Sequence, residues 1–254
     1  MTMKQRSPAL FFLMVILLSI PFFLFLAPGG RLPFATFLPV NALMTFVPMI
    51  VAVGLVALQE GNADAMNLLR RALDFRRIKR LRWLLAAIFF MPVAFGLQYG
   101  VIRLFGVALP DVEGIRITAI LAYFVMFFVG AVGEEIGWQG YGFAGLRERA
   151  SALNAALVLG VVWPFWHVIP FALMGRSGDW IIWQCLVIIL LRVIIVWLFV
   201  NTGDSLFIAA LAFYLWLALE PGFVRSLAYN LIVLASLTTL MFNANPLLRY
   251  DGYY

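Results

Sequence analysis

Runs of roughly twenty apolar residues follow one another along almost the whole chain, and no other feature constrains the fold as strongly. A helix of about 20 residues crosses the hydrocarbon layer with every backbone polar group satisfied internally. Candidate spans of about that length lie at about 9–28, 37–58, 83–107, 115–135, 153–174, 180–200, 204–220 and 226–243. Pro28, Gly29 and Gly30 break the first from the second, and Pro110 and Asp111 the third from the fourth. Gly175, Ser177, Gly178 and Asp179 break the fifth from the sixth. The composition is 65% hydrophobic and 12% charged, where soluble domains carry about 25% charge. The expected fold class is all-α: a polytopic membrane protein of about eight transmembrane helices packed in one bundle, with residues 1–254 as a single integral-membrane domain.

The first apolar run follows Lys4 and Arg6, as in a signal peptide. It is longer than the roughly 7–15 residues of a signal core, and no A-x-A-like site follows, so an uncleaved first helix is expected. The segment 59–82 gathers Arg70, Arg71, Arg76, Arg77, Lys79, Arg80 and Arg82. Arg147, Arg149 and Arg249 fall on the same side of the expected bundle as that segment and the N-terminus. This bias puts both termini in the cytoplasm. The same cluster reads as a cytoplasmic loop, and no nucleic-acid partner is expected. Met66, Leu69 and Leu73 fall at helical spacing within it. Cys185 is the single cysteine, so no disulfide forms within the chain.

Ionisable residues inside spans are costly and mark function by default. Glu134, Glu135, His167 and Arg192 are the candidates, with Gln139, Gln184, Asn201 and Asn230 as neutral polar ones. Asp204 and Glu220 sit at expected helix ends, where solvation is easy. His167, the single histidine, lies in "VVWPFWHVIPF" between Pro164 and Pro170, which free backbone carbonyls that need new partners. Glu134 and Glu135 close a long apolar run in "GEEIGWQGY". On a helix, neighbouring side chains point about 100° apart, so the two acids serve different purposes. Gln139 lies one turn beyond Glu135 on the same face. A carboxylate in a dehydrated cavity suits general-base work near neutral pH. Trp163, Trp166, Trp180, Trp183 and Trp197 read as belt or packing residues.

"EEIGWQGYGFAGL" resembles the first motif, EExxxR, of the CPBP intramembrane proteases, the group of the Rce1-like CAAX prenyl endopeptidases and the bacterial Abi-type membrane proteins. "WPFWHVIPF" is similar to the second motif, an aromatic residue, three residues and His. "NTGDSLFIAALAF" resembles the approach to the third, which ends in a His and, four residues later, an Asn. The likeness covers roughly 115–220, a protease-like core. It implies a helical bundle with a cavity open toward the cytosol and hydrolysis of a peptide bond. A Glu at Glu134 would activate water with help from His167, and Glu135 would be a structural acid. A membrane-associated peptide would be the substrate, membrane lipids the surroundings, and a bacterial-type inner membrane the location.

The sequence departs from that pattern at three places. Gln139 stands where the motif Arg is expected, so Gln139 can hydrogen-bond Glu135 without neutralising it. Arg192 is the candidate replacement counter-ion. Phe213 and Leu217 stand where the third-motif His and Asn align, and Tyr214 or Asn230 are the side chains available to replace them. One His and one Cys within an apolar span make a poor zinc set. No metal and no cofactor are expected. Three functions compete: an intramembrane endopeptidase, a catalytically inactive relative that binds membrane peptides as a scaffold, and a small transporter with Arg192 and the acids lining its path. The transporter reading lacks the internal repeats common in such folds.

Overall fold

A computed structural model describes residues 6–24, 31–32, 35–104, 106 and 117–217. The candidate span at 226–243, Glu220 and Asn230 lie outside the described residues. Among the described residues, the regular structure is helical apart from a short antiparallel hairpin, β1 (Arg31–Leu32) and β2 (Ala35–Pro39). The helices are α1 (Pro8–Leu24), α2 (Val47–Gln59), α3 (Asn62–Arg70), α4 (Leu81–Leu104), α5 (Ile117–Gly137), α6 (Ala144–Arg147), α7 (Ala152–Leu173), α8 (Gly178–Asn201) and α9 (Leu206–Leu217). The apolar run expected as one helix over 37–58 is divided: β2 ends at Pro39, a 3₁₀ stretch covers Val40–Phe46, and α2 starts with Pro48 in its first turn.

Local chemistry fixes the helix ends. Ser151 caps α7 by accepting from Asn154 N at 3.2 Å, and Ser177 caps α8 by accepting from Trp180 N at 3.4 Å. Gly175, at φ 71°, ends α7 in the left-handed conformation that glycine adopts without strain. Gly203 and Asp204, at φ 75° and 59°, form the tight turn between α8 and α9. Asp74 receives that turn from the Arg-rich segment. Its carboxylate accepts from Ser205 Oγ at 2.8 Å, Phe207 N at 3.3 Å and Leu206 N at 3.4 Å, which satisfies the free N–H groups opening α9.

α7 packs lengthwise on α8, and α5 packs against α2 and α9. Close approach depends on missing side chains. A Cβ on Gly137 would stand 2.4 Å from Pro48 on α2, and one on Gly160 would stand 3.2 Å from the Ile189 carbonyl on α8. The core joins Phe11 and Val15, Trp138 and Tyr141, Leu159 and Trp163, Leu191 and Ile195, and Phe213. Outward faces of α1, α7 and α8 expose Leu13, Leu17, Phe165, Ile182 and Trp183. Apolar side chains on both inner and outer faces suit a bundle surrounded by lipid. Among the described residues, α7 and α8 are long and apolar enough to cross a membrane.

Candidate active site

The paired acids lie in the last turn of α5. Immediately after them, Trp138–Phe143 winds as a π-helix before α6 resumes the α pattern. A π turn carries an extra residue, so side chains beyond it rotate away from the face that α spacing assigns. Gln139 is affected first. It is fully buried, and neither Oε1 nor Nε2 finds a hydrogen-bond partner among the described residues. The Gln139–Glu135 bond expected from helical spacing is not formed. The loosened backbone is held from outside instead. Arg6 Nη1 donates to Gly140 O at 2.9 Å, and Tyr141 Oη donates to Gln59 Oε1 at 2.9 Å.

Arg192 satisfies Glu135. Both residues are fully buried, and Arg192 Nη1 lies 2.8 Å from Oε1 and 2.9 Å from Oε2 of the carboxylate. The guanidinium carbon also lies over the Trp163 ring, 3.7 Å from its centroid. That placement gives the buried cation a second source of stabilisation.

Glu134 has a different environment. Its Oε2 accepts from Trp163 Nε1 at 2.9 Å, a neutral donor, and no ion pair reaches it among the described residues. Trp163 therefore contacts both halves of the acid pair: its edge bonds Glu134, and its face carries the counter-ion of Glu135. Sequence reasoning assigned this residue to packing. The available signal was the indole N–H, a donor that must find a partner once buried near an acid.

His167 stands one turn along α7. Its Nδ1 lies 3.0 Å from the Trp163 carbonyl. A carbonyl oxygen only accepts, so Nδ1 carries the proton, and a neutral ring offers Nε2 as an acceptor. Aromatic rings enclose the imidazole: Trp163 and Trp166 meet it edge-on at 5.2 and 4.8 Å, and Phe171 stacks at 5.7 Å. No direct hydrogen bond joins Glu134 to His167 among the described residues; Trp163 stands between them. Trp166 Nε1 is held by Ser19 Oγ of α1 at 2.8 Å, which ties this aromatic wall to the first helix.

The remaining positions lie on α9. Phe213 is buried and meets the Trp163 ring edge-on at 5.0 Å, so it reaches the cluster with a ring and no donor. Tyr214 is buried against Phe128, ring centroids 6.2 Å apart. Leu217 is the last residue of α9. Among the described residues, no group of His, Cys, Asp and Glu is arranged to hold a metal.

Comparison with known proteins places this geometry. The family described as type II CAAX prenyl endopeptidase Rce1-like matches residues 116–219, which span α5 to α9 and so include both acids, the histidine and Phe213. A curated relative, CAAX prenyl protease 2 of Methanococcus maripaludis, is 23% identical over 181 residues. The alignment covers 66% of this chain and 66% of that relative. Over the helices that carry Glu134, Glu135 and His167, residues 116–219 are similar to the Rce1-like family of CAAX prenyl endopeptidases.

Proposed function

We propose that this chain is a membrane-embedded endopeptidase in which Glu134 activates water against a peptide bond of a membrane-associated substrate. The observation that carries the reading is the unequal treatment of the two acids. Arg192 holds Glu135 in a buried ion pair, while Glu134 keeps only a neutral N–H partner. A carboxylate already paired with a guanidinium is a poor proton acceptor, and its neighbour is the better base.

In this mechanism Glu134 takes a proton from water as the oxygen attacks the scissile carbonyl carbon. A tetrahedral intermediate forms, the C–N bond then breaks, and the proton held by Glu134 passes to the leaving nitrogen. His167 uses Nε2 to orient the water or to share its proton. Phe213 offers no donor to the oxyanion. Removing one such donor costs about 10²–10³ in rate elsewhere, so slow turnover is expected. The protein acts within a multi-pass membrane bundle, with both termini cytoplasmic as the basic bias indicates, and a bacterial-type inner membrane is the location we propose.

A catalytically silent peptide-binding role is favoured by one observation: Phe213 packs on the same Trp163 that occupies Glu134. Purified protein in liposomes, incubated with farnesylated and unprenylated C-terminal peptides and assayed by mass spectrometry, separates the two. New peptide termini support the endopeptidase. Saturable binding without any cleaved product supports the silent role, and cleavage of the farnesylated peptide alone shows that the lipid is read.

A further inference from the structure

Beside the π-helix, α6 and the turn before α9 lies a pocket of about 300 Å³, lined by Arg71, Gln139, Phe143, Arg147, Glu148 and Asp204 among others. Glu134, Trp163 and His167 do not line it. It opens at the end of the bundle that carries the Arg-rich segment, where the charge bias places the cytoplasmic headgroup layer.

Its polar groups are only partly spent. Gln139, fully buried, has a free donor and a free acceptor among the described residues. Arg71 donates Nη2 to the Asp204 carbonyl at 2.8 Å, but its buried Nε makes no hydrogen bond, and the Asp74 carboxylate stands 3.7 Å away. Burial, and then the nearby Arg77 charge, pull Arg71 below its ordinary value, so another negative group beside it is favoured. Arg147 spends Nη1 on Asp204 Oδ1 at 2.7 Å and keeps the rest of its fork. Glu148 has no ion-pair partner among the described residues.

The wall thus presents two guanidinium groups, two carboxylates and an amide with both ends open, with formal charges that cancel. A polyphosphate meets Glu148 and Asp204, and a simple cation meets the two arginines. A phosphate joined to a primary ammonium answers the open groups, while Asp204 keeps its bond from Arg147. Phosphate oxygens accept from Arg71, Arg147 and Gln139 Nε2, while the ammonium donates to Gln139 Oε1 and Glu148. The volume is at the lower end for small-ligand sites, and Phe143 supplies apolar surface for the short carbon linker. We propose that this pocket binds a phosphoethanolamine group, carried by a phospholipid or free in solution. The proposal is independent of whether the chain cleaves peptides.

The test uses the full chain, delipidated in detergent, with thermal unfolding and native mass spectrometry as readouts. The probes are soluble phosphoethanolamine, phosphatidylethanolamine, phosphatidylcholine and phosphatidylglycerol of equal chain length. Phosphatidylethanolamine is expected to raise Tm by about 5 °C at saturation and to stay bound. Phosphatidylcholine, which has no ammonium N–H, and phosphatidylglycerol, which has no cation, are expected to give little shift. A shift with soluble phosphoethanolamine shows that the headgroup suffices; a shift with the lipid alone assigns the site to the bilayer. Arg71→Met removes the shift, and the exposed Glu148→Gln, which leaves the core untouched, removes the preference over phosphatidylcholine. Equal shifts from the three lipids in the wild type, or a preference that survives Glu148→Gln, overturn the proposal.

Discussion

A single nitrogen of Arg192 holds both carboxylate oxygens of Glu135, at 2.8 and 2.9 Å, across the gap between α8 and α5. In the proposed mechanism this relationship leaves the neighbouring acid for the chemistry. It also stakes much of the stability of the bundle on one pair of fully buried charges.

Arg192→Met is expected to destabilise the protein by about 3–5 kcal/mol, because it strands a buried carboxylate. The double variant Glu135→Gln/Arg192→Met is expected to recover most of that loss. Denaturant unfolding in detergent measures both, and equal losses in the single and double variants would show that the stranded carboxylate is not the source of the cost.

Trp163→Phe keeps a ring beneath Arg192 but removes the N–H that reaches Glu134. A hydrogen bond to a charged acceptor is worth about 1.5–3 kcal/mol. A double-mutant cycle with Glu134→Leu, which cannot accept a hydrogen bond, should return a coupling in that range. A coupling near zero would mean that the bond contributes nothing to stability.

Asp74→Ala removes the acceptor for Ser205 Oγ and for the amides of Leu206 and Phe207. The expected cost is about 1–2 kcal/mol, the usual worth of a lost helix N-cap. Faster hydrogen exchange should appear in the first turn of α9 and leave α7 unchanged. Exchange that rises equally in both helices would contradict a local capping role.

Phe213→His/Leu217→Asn restores the donors that the family motif places on α9. If their loss is what limits turnover, this variant cleaves membrane peptides about 10²-fold faster or more than the wild type. Unchanged rates by quantitative mass spectrometry would move the limitation elsewhere.

The helices long and apolar enough to cross a membrane were legible because bilayer thickness sets the length of such a run. The helix expected at 153–174 runs from Ala152 to Leu173, and that expected at 180–200 runs from Gly178 to Asn201. The division of 37–58 was passed over although Pro39 and Pro48 flank the 3₁₀ stretch Val40–Phe46, which packs against α1 and α5. Arg192 could be named as the counter-ion of Glu135 because a charge so deep in a span needs a partner. The position of Gln139 could not be read, since α spacing ends at Gly137 and a π turn leaves no mark in residue type. Trp163 was passed over for the same kind of reason: one of eight tryptophans, in apolar surroundings, looks like packing until a carboxylate is found at its edge.

The central claim is that adjacent acids hold separate duties, one chemical and one structural. Turnover and Tm measured side by side for Glu134→Gln and Glu135→Gln in proteoliposomes test it most directly. The account predicts that Glu134→Gln loses about 10²–10⁴ in rate with Tm nearly unchanged, and that Glu135→Gln lowers Tm sharply because Arg192 is left buried without its carboxylate. Full cleavage by Glu134→Gln, or the two variants behaving alike in both measurements, would contradict it.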